Sequence, residues 1–267
     1  MMKAAFKSVA GYALRPSLWP TIPSLVSRTL FPAEGEATGH LAKARCASEA
    51  VEYDRLPSVM SGFVWTPFED AQPELARLIA KARSVAPQYI GGGADMSFLY
   101  SMAESLNAKQ VVETGVALGD SSLAILASVS KRRGGRLISV DRPYLRFGSE
   151  KHVGAAVPPH LRNCWELIRE ADRSGIGKAL GRLYPLDMCH YDSDKSYSGR
   201  MFGYSRLWQA LRPGGVFISD DIQDNLAFFH FSETVQHKYF VVKSRNKYIG
   251  FMVKRATDRS YIEDTRG

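Results

Sequence analysis

The 267-residue chain reads as an α/β protein on a doubly wound, mostly parallel sheet with an antiparallel C-terminal hairpin. Two observations lead there. From residue 109 onward, short β-branched runs alternate with helical periods across tight turns, the rhythm of strand–helix–strand units. Near the end, Tyr239-Phe240-Val241-Val242-Lys243 and Tyr248-Ile249-Gly250-Phe251-Met252-Val253 are separated only by Ser244-Arg245-Asn246-Lys247. Parallel neighbours need a crossover of a dozen or more residues, so these two runs must pair antiparallel. Composition agrees with a globular protein at 45% hydrophobic and 23% charged residues. No apolar run reaches the ~18 residues of a membrane-spanning helix.

Residues 1–88 read as an extension of short helices and loops wrapped on a main domain at 89–267. Pro16, Pro20, Pro23 and Pro32 interrupt apolar pieces such as Leu25-Val26 and Leu30-Phe31, and each disfavours helix in the residue before it. A floppy arm and an amphipathic membrane anchor near 18–31 are the alternatives there, and a dimer interface is a further use for the segment. Neither an apolar leader core nor a cleavage site is evident, so no signal peptide is expected. Leu75, Leu78, Ile79 and Ala82 have helical spacing, and Gly91-Gly92-Gly93 precedes a helix over 96–106. Strands follow at Val111-Val112-Glu113, Arg136–Val140, Trp165–Arg169, Asp187–Tyr191 and Val216–Ser219. Helices fall at 121–130 and through Phe202, Leu207 and Leu211, the latter stopped by Arg212-Pro213-Gly214-Gly215. With the hairpin, that makes seven strands. Cys46, Cys164 and Cys189 are far apart and odd in number, which supports no disulfide framework or zinc spacing and fits reduced thiols in the cytoplasm.

The most informative stretch is Glu113-Thr114-Gly115-Val116-Ala117-Leu118-Gly119-Asp120-Ser121-Ser122. Gly115 stands just past a strand and Gly119 just before a helix, the geometry of a nucleotide-type loop at the C-terminal edge of a sheet. A dinucleotide loop would carry a glycine where Ala117 stands, so close approach of a pyrophosphate is disfavoured. Asp141 closes the second strand, where an acid holds ribose hydroxyls. A cofactor with a ribose and no pyrophosphate satisfies both, and S-adenosylmethionine is the obvious candidate. A helix-capping turn without a ligand is the plain alternative.

That stretch, with Asp141, the run Asp192-Ser193-Asp194-Lys195-Ser196-Tyr197, and Pro213-Gly214-Gly215 leading to Asp220-Asp221, resembles class I S-adenosylmethionine-dependent methyltransferases. Within them it is similar to the metal-dependent branch of small-molecule and sugar O-methyltransferases, whose fourth strand ends in an Asp-x-Asp-His-Ser-Tyr-like loop. The likeness covers residues 89–255 and implies a Rossmann-like seven-stranded sheet with an antiparallel last strand. It implies cofactor contacts from Glu113, Thr114, Gly115, Gly119, Ser121 and Ser122 at the amino-acid end. Asp141 would hold the ribose, Asp172 and Arg173 would border the adenine, and residues 91–94 would cover the methionine end.

Asp192, Asp220 and Asp221 end neighbouring strands, and three converging carboxylates repel unless a cation or protons intervene. Oxygen donors suit a hard cation such as Mg²⁺, and family members use a divalent metal to hold two acceptor oxygens. Asn225 is a further donor or substrate contact, and helix capping by Asp220 or Asp221 is the structural alternative. With Asp192, Lys195 is the catalytic candidate. It stands where related sequences often place His, and would act as a base only with a depressed pKa; otherwise it is a charge partner. His190 reads as a core histidine, His230 and His237 follow the acidic pair with nothing in the sequence that fixes them to the site, and Tyr197 is a stacking or packing residue.

The chain carries a formal charge of +8. Between residues 128 and 182 stand twelve basic residues against five acidic ones. The irregular stretch 144–159 reads as a lid, with Arg142, Arg146 or Lys151 available to an anionic acceptor; a solvated basic face is the alternative. No recognition helix or aromatic RNA-binding signature accompanies the charge, so no nucleic-acid partner is expected. The reading is an S-adenosylmethionine-dependent O-methyltransferase of a sugar, glycan or secondary metabolite. Beside it stand a nicotinamide-dependent oxidoreductase and a non-catalytic RNA- or membrane-surface-binding module.

Overall fold

The computed structural model describes residues 37–87, 90, 91, 93–144 and 149–255, with isolated positions 16 and 19. The proline-punctuated pieces at 25–32, the anchor reading of 18–31 (position 19 apart), Gly92 and Arg146 lie outside the described residues.

In chain order the elements are α1 (Gly39–Glu49), β1 (Ala50–Val51), α2 (Leu56–Val59), α3 (Phe68–Ala71), α4 (Pro73–Val85) and α5 (Met96–Ser105). Then come β2 (Gln110–Thr114), α6 (Asp120–Val129), β3 (Arg136–Val140), β4 (Trp165–Ile168), α7 (Asp172–Leu180) and β5 (Leu186–Tyr191). The chain continues through α8 (Tyr197–Ala210), β6 (Leu211–Ser219), α9 (Ala227–Thr234), β7 (Tyr239–Ser244) and β8 (Lys247–Val253).

The strands form one sheet in the order β1-β7-β8-β6-β5-β2-β3-β4. All pairs are parallel except those of β8, which runs antiparallel to both β6 and β7. The hairpin turns at Arg245, held left-handed at φ 53°, and its return strand inserts between β6 and β7 instead of extending the edge. The sheet has eight strands where seven were expected. The extra one is β1, whose Ala50 and Val51 pair with Val241 and Val242.

Each strand sends alternate residues to opposite faces. Val111, Leu137, Met188, Val216 and Phe251 join the apolar layer with Leu99, Met102, Leu123 and Leu126 of α5 and α6. Val112, Ile138, Cys189, Phe217 and Met252 join the layer with Ile176, Tyr204, Leu207 and Phe231 of α7, α8 and α9. Being covered on both faces explains why these strands read as near-continuous apolar runs. Leu56, Phe63, Phe68, Leu75 and Ile79 pack into the first of these layers. The segment around α1 is tied to the far edge: Leu226 N donates to Thr38 Oγ1 at 3.0 Å, and Arg45 bonds Glu233 and Tyr239.

At the opposite end of the strands from the candidate site, Asp187 clamps three of them. One carboxylate oxygen accepts from the amides of Lys109 and Gln110 at 2.7 and 2.8 Å, and the other from Arg212 Nε at 2.6 Å. Burial opposes its charge, but Arg212 and the two amides prevail and hold its pKa below the ordinary carboxylate range. A lowered native pKa contributes stability that is present above the unfolded value and lost as pH falls through the native one. Asp187→Ala should therefore cost about 1–3 kcal/mol at pH 7. The difference should shrink as pH is lowered from about 4; denaturant unfolding of both proteins at pH 7 and pH 3 checks it, and a pH-independent difference would contradict this account.

Candidate functional site

The site is built by strand register. Thr114 pairs with Val140 on one side and Tyr191 on the other, and Tyr191 pairs with Ser219. The next residue of each strand therefore stands at one level: Gly115, Asp141, Asp192 and Asp220. Their amides continue the ladder, Gly115 N to Val140 O at 2.8 Å, Asp141 N to Ile168 O at 3.0 Å, Asp192 N to Thr114 O at 2.9 Å and Asp220 N to Tyr191 O at 3.0 Å. One layer further in, on the α6 side, the sheet turns polar at Ser139, Glu113 and His190, which are register partners in sequence.

Gly115 has φ +81°, and a Cβ there would lie 2.2 Å from the Asp192 carbonyl oxygen. No side chain fits, and the left-handed backbone is one that glycine adopts without penalty. Gly119 is left-handed as well, at φ +102°, and Ala117 adopts φ 49° without being glycine. Two segments lie against this turn. Gly154 N donates to Ala117 O and Ala156 N to Leu118 O. Across from them, Asp120 accepts from Gly93 N at 2.6 Å and from Arg83 at 2.8 Å, which holds Gly93 beside the start of α6. In the stretch read as a lid, the described residues 153–157 are thus bonded to the turn, and Tyr144 donates to Ile90 O.

The expected cofactor residues divide into two groups. Glu113 is wholly buried beneath the turn, and its Oε1 accepts from Ser122 and, at 2.6 Å, from Ser139. Ser121 is buried in the first turn of α6. Thr114, Asp141 and Asp172 lie at the edge itself. Thr114 and Asp172 are linked through Ser193, whose hydroxyl lies 2.8 Å from Thr114 Oγ1 and 2.6 Å from Asp172 Oδ2. Tyr191 donates to the same Asp172 oxygen at 2.9 Å. Burial pushes Asp172 up, against the pull of those hydrogen bonds. Asp141 pairs with Arg169 at 2.8 Å, yet burial outweighs the guanidinium and pushes its pKa up to about 6. Arg173 stacks over Phe202 at 4.8 Å.

The three carboxylates do converge, with two lysines among them. Lys195 bridges Asp192 and, at 2.8 Å, Asp221. Lys247 reaches Asp220 at 2.5 Å. Burial works against the charge on Lys195, but Asp192 and Asp221 override it and hold its pKa well above the ordinary lysine value. Asp221 is likewise pushed up by burial and pulled below its usual range by Lys195. Asp220, with no exposed side-chain surface, is raised by burial and by Asp192. Among the described residues, His190, Asp192 and Asp220 each bring a ligand atom within 4.8 Å of the others; Asp221 turns instead to Lys195. Asn225 is engaged by backbone at both ends, donating to Lys195 O and accepting from Ala227 N. Tyr197 hydrogen-bonds His230, and His237 packs on Trp208.

Two participants escaped the sequence reading. Lys247 looked like a turn residue, and nothing local connects it to Asp220. His190 did carry a signal: it stands two residues before Asp192, so both point to one face of β5.

Residues 112–222 match the family model of a methyltransferase domain. No curated protein sequence matches the chain. The chain is similar to the solved O-methyltransferase of Bacillus cereus in complex with S-adenosylhomocysteine: 16% identity, TM-score 0.53, 71% of this chain and 98% of that one. It is similar to a Streptomyces achromogenes O-methyltransferase involved in tomaymycin synthesis, in complex with S-adenosylmethionine: 17% identity, TM-score 0.51, 67% and 87% coverage. A Geobacter sulfurreducens methyltransferase aligns at 16% identity, TM-score 0.52, 70% and 93% coverage. At these identities the structural likeness is one of fold. The family match over residues 112–222 is to a methyltransferase domain, and the fold is the one these methyltransferases share.

Proposed function

We propose that the protein transfers a methyl group from S-adenosylmethionine to a hydroxyl of a sugar, glycan or related secondary metabolite, aided by a divalent cation. The observation that supports this reading is the shared edge, where the glycine turn and the Asp192–Asp220–Asp221 cluster stand one strand apart. Two of the similar structures are O-methyltransferases by name.

Methyl transfer is an in-line displacement at the sulfonium methyl, so the protein's task is alignment, hydroxyl activation and exclusion of water. The turn at Gly115–Gly119 and the edge residues Thr114, Asp141, Asp172 and Arg173 would hold the cofactor. Glu113, Ser121 and Ser122 would support the turn from beneath. The cluster fits a cation on its charge: three carboxylates face two ammonium groups, with acidic oxygens in reach of one another. Asp192, Asp220 and Asp221 would hold it, magnesium being the hard-donor choice. When bound, it would polarise the acceptor hydroxyl. Lys195, held protonated, fixes Asp192 and Asp221 as a charge partner. Asp192, a quarter exposed, would receive the hydroxyl proton.

Four outcomes test this reading. Gly115→Ala should abolish S-adenosylhomocysteine binding in calorimetry, because the added methyl collides with the Asp192 backbone; retained affinity would remove the turn from the cofactor site. If Asp141 accepts the ribose hydroxyls, protonating it through its pKa of about 6 should weaken that binding about tenfold between pH 7 and pH 5. Asp141→Asn should show no such slope, and a slope shared by both proteins would speak against the role. For the chemistry, Asp192→Ala should abolish EDTA-sensitive methylation of a hydroxyl acceptor. Lys195→Arg should keep activity within about tenfold while Lys195→Met loses about a hundredfold or more; equal losses in both would make Lys195 the base.

A further inference from the structure

We propose that His190 is itself a ligand of the cation, so that the site is a mixed nitrogen–oxygen set of His190, Asp192 and Asp220, with Glu113 orienting the imidazole from behind. This rests on the cation reading above and changes its donor set and metal preference.

Four observations carry it. His190 stands on β5 with Asp192 just past its end on the same face, and Asp220 follows the end of the neighbouring β6, which places the three ligand atoms within 4.8 Å of one another. The imidazole is 1% exposed. Its Nδ1 is buried with no hydrogen-bond partner and lies 4.0 Å from Glu113 Oε2, itself buried and unpartnered. Its Nε2 lies 4.0 Å from Asp220 Oδ2. Neither separation is a hydrogen bond. A buried polar group left unpaired is costly, and an unexplained one points to a missing partner.

The ring thus lies between two carboxylates with its nitrogens aimed at both, and ligation through Nε2 would settle it. The proton would then sit on Nδ1, facing Glu113 in the carboxylate–histidine–metal arrangement that fixes tautomer and ring orientation. Glu113 is preset for that part. Ser122 and Ser139 hold its Oε1, leaving Oε2 for the imidazole. An imidazole donor moves preference away from Mg²⁺ and toward first-row transition ions such as Mn²⁺. The rival account is a protonated His190 serving as an ionic spacer between Glu113 and Asp220.

The test is pulsed electron paramagnetic resonance of the full chain loaded with Mn²⁺, alongside Mn²⁺ and Mg²⁺ titrations. Imidazole-nitrogen modulation is expected, changed by ¹⁵N-histidine labelling, lost in His190→Gln and retained in His230→Gln. Mn²⁺ should bind about tenfold or more tightly than Mg²⁺. Glu113→Gln should keep the modulation and weaken Mn²⁺ by about 10- to 100-fold. Bound Mn²⁺ without nitrogen modulation would overturn the histidine ligand and leave the cation reading standing; no Mn²⁺ or Mg²⁺ binding at all would remove both. If His190→Gln does not melt cooperatively like the parent, the labelled parent and the His230→Gln and Glu113→Gln variants decide the matter.

Discussion

The candidate site depends first on the close passage of two backbones. The β2–α6 turn and the β5–α8 connection meet where Gly115 lies against the Asp192 carbonyl, too near for any Cβ. This approach continues the parallel ladder one rung past the strands, through Asp192 N to Thr114 O and Gly115 N to Val140 O. Because the rung is shared, the turn that would cradle a cofactor and the carboxylate that would hold an acceptor are fixed to each other. Displacing either would cost ladder hydrogen bonds that the sheet supplies with no side chain taking part.

The second constraint is electrostatic. Carboxylates crowded at a half-buried edge are tolerable only when paired, since each desolvated charge costs several kcal/mol. The fold answers with Lys195 between Asp192 and Asp221 and Lys247 on Asp220. The two lysines reach in from different parts of the chain, one from the loop before α8 and one from the start of β8. Insertion of β8 next to β6 is what delivers Lys247, so the antiparallel strand contributes to the site as well as to the sheet. The same pairing keeps Lys195 cationic, and in the proposed chemistry it would therefore act as a charge partner, with a carboxylate accepting the proton.

Much of this was legible in sequence because the signals were local. The five parallel strands, the hairpin and the acidic strand ends announce themselves by period, turn residues and spacing. The parts that stayed hidden depend on long-range pairing. Ala50-Val51 is too short to show alternation and becomes a strand only because Val241 and Val242 present an open edge. The hairpin fixes that β7 and β8 pair, but insertion of β8 beside β6 leaves no mark on either run. Ala117 takes a left-handed conformation that alanine rarely adopts, so its backbone was invisible to residue preference. His190 reads as a core residue because its strand is apolar; only its register with Glu113 shows a polar layer inside the sheet.

The basic stretch between residues 128 and 182 acquires a different meaning once its partners are known. Arg132 and Lys131 meet Glu104, Arg136 and Arg182 meet Glu166, and Lys178 meets Glu170. Arg162 donates to the carbonyls of Gly154 and Val157, in the segment bonded to the glycine turn. Arg169 joins Asp141 to Glu150. Exposed pairs of this kind add little stability singly; their collective effect is positional. The arginines of the β3–β4 region tie an irregular loop to the turn it covers and hold Asp141 at the edge. Of the basic residues in this stretch, Arg162 and Arg169 brace the loop and Asp141, while the other pairs join neighbouring elements away from that edge. Arg142 acts differently: its charge favours the ionised form of Asp172 against the burial that raises it.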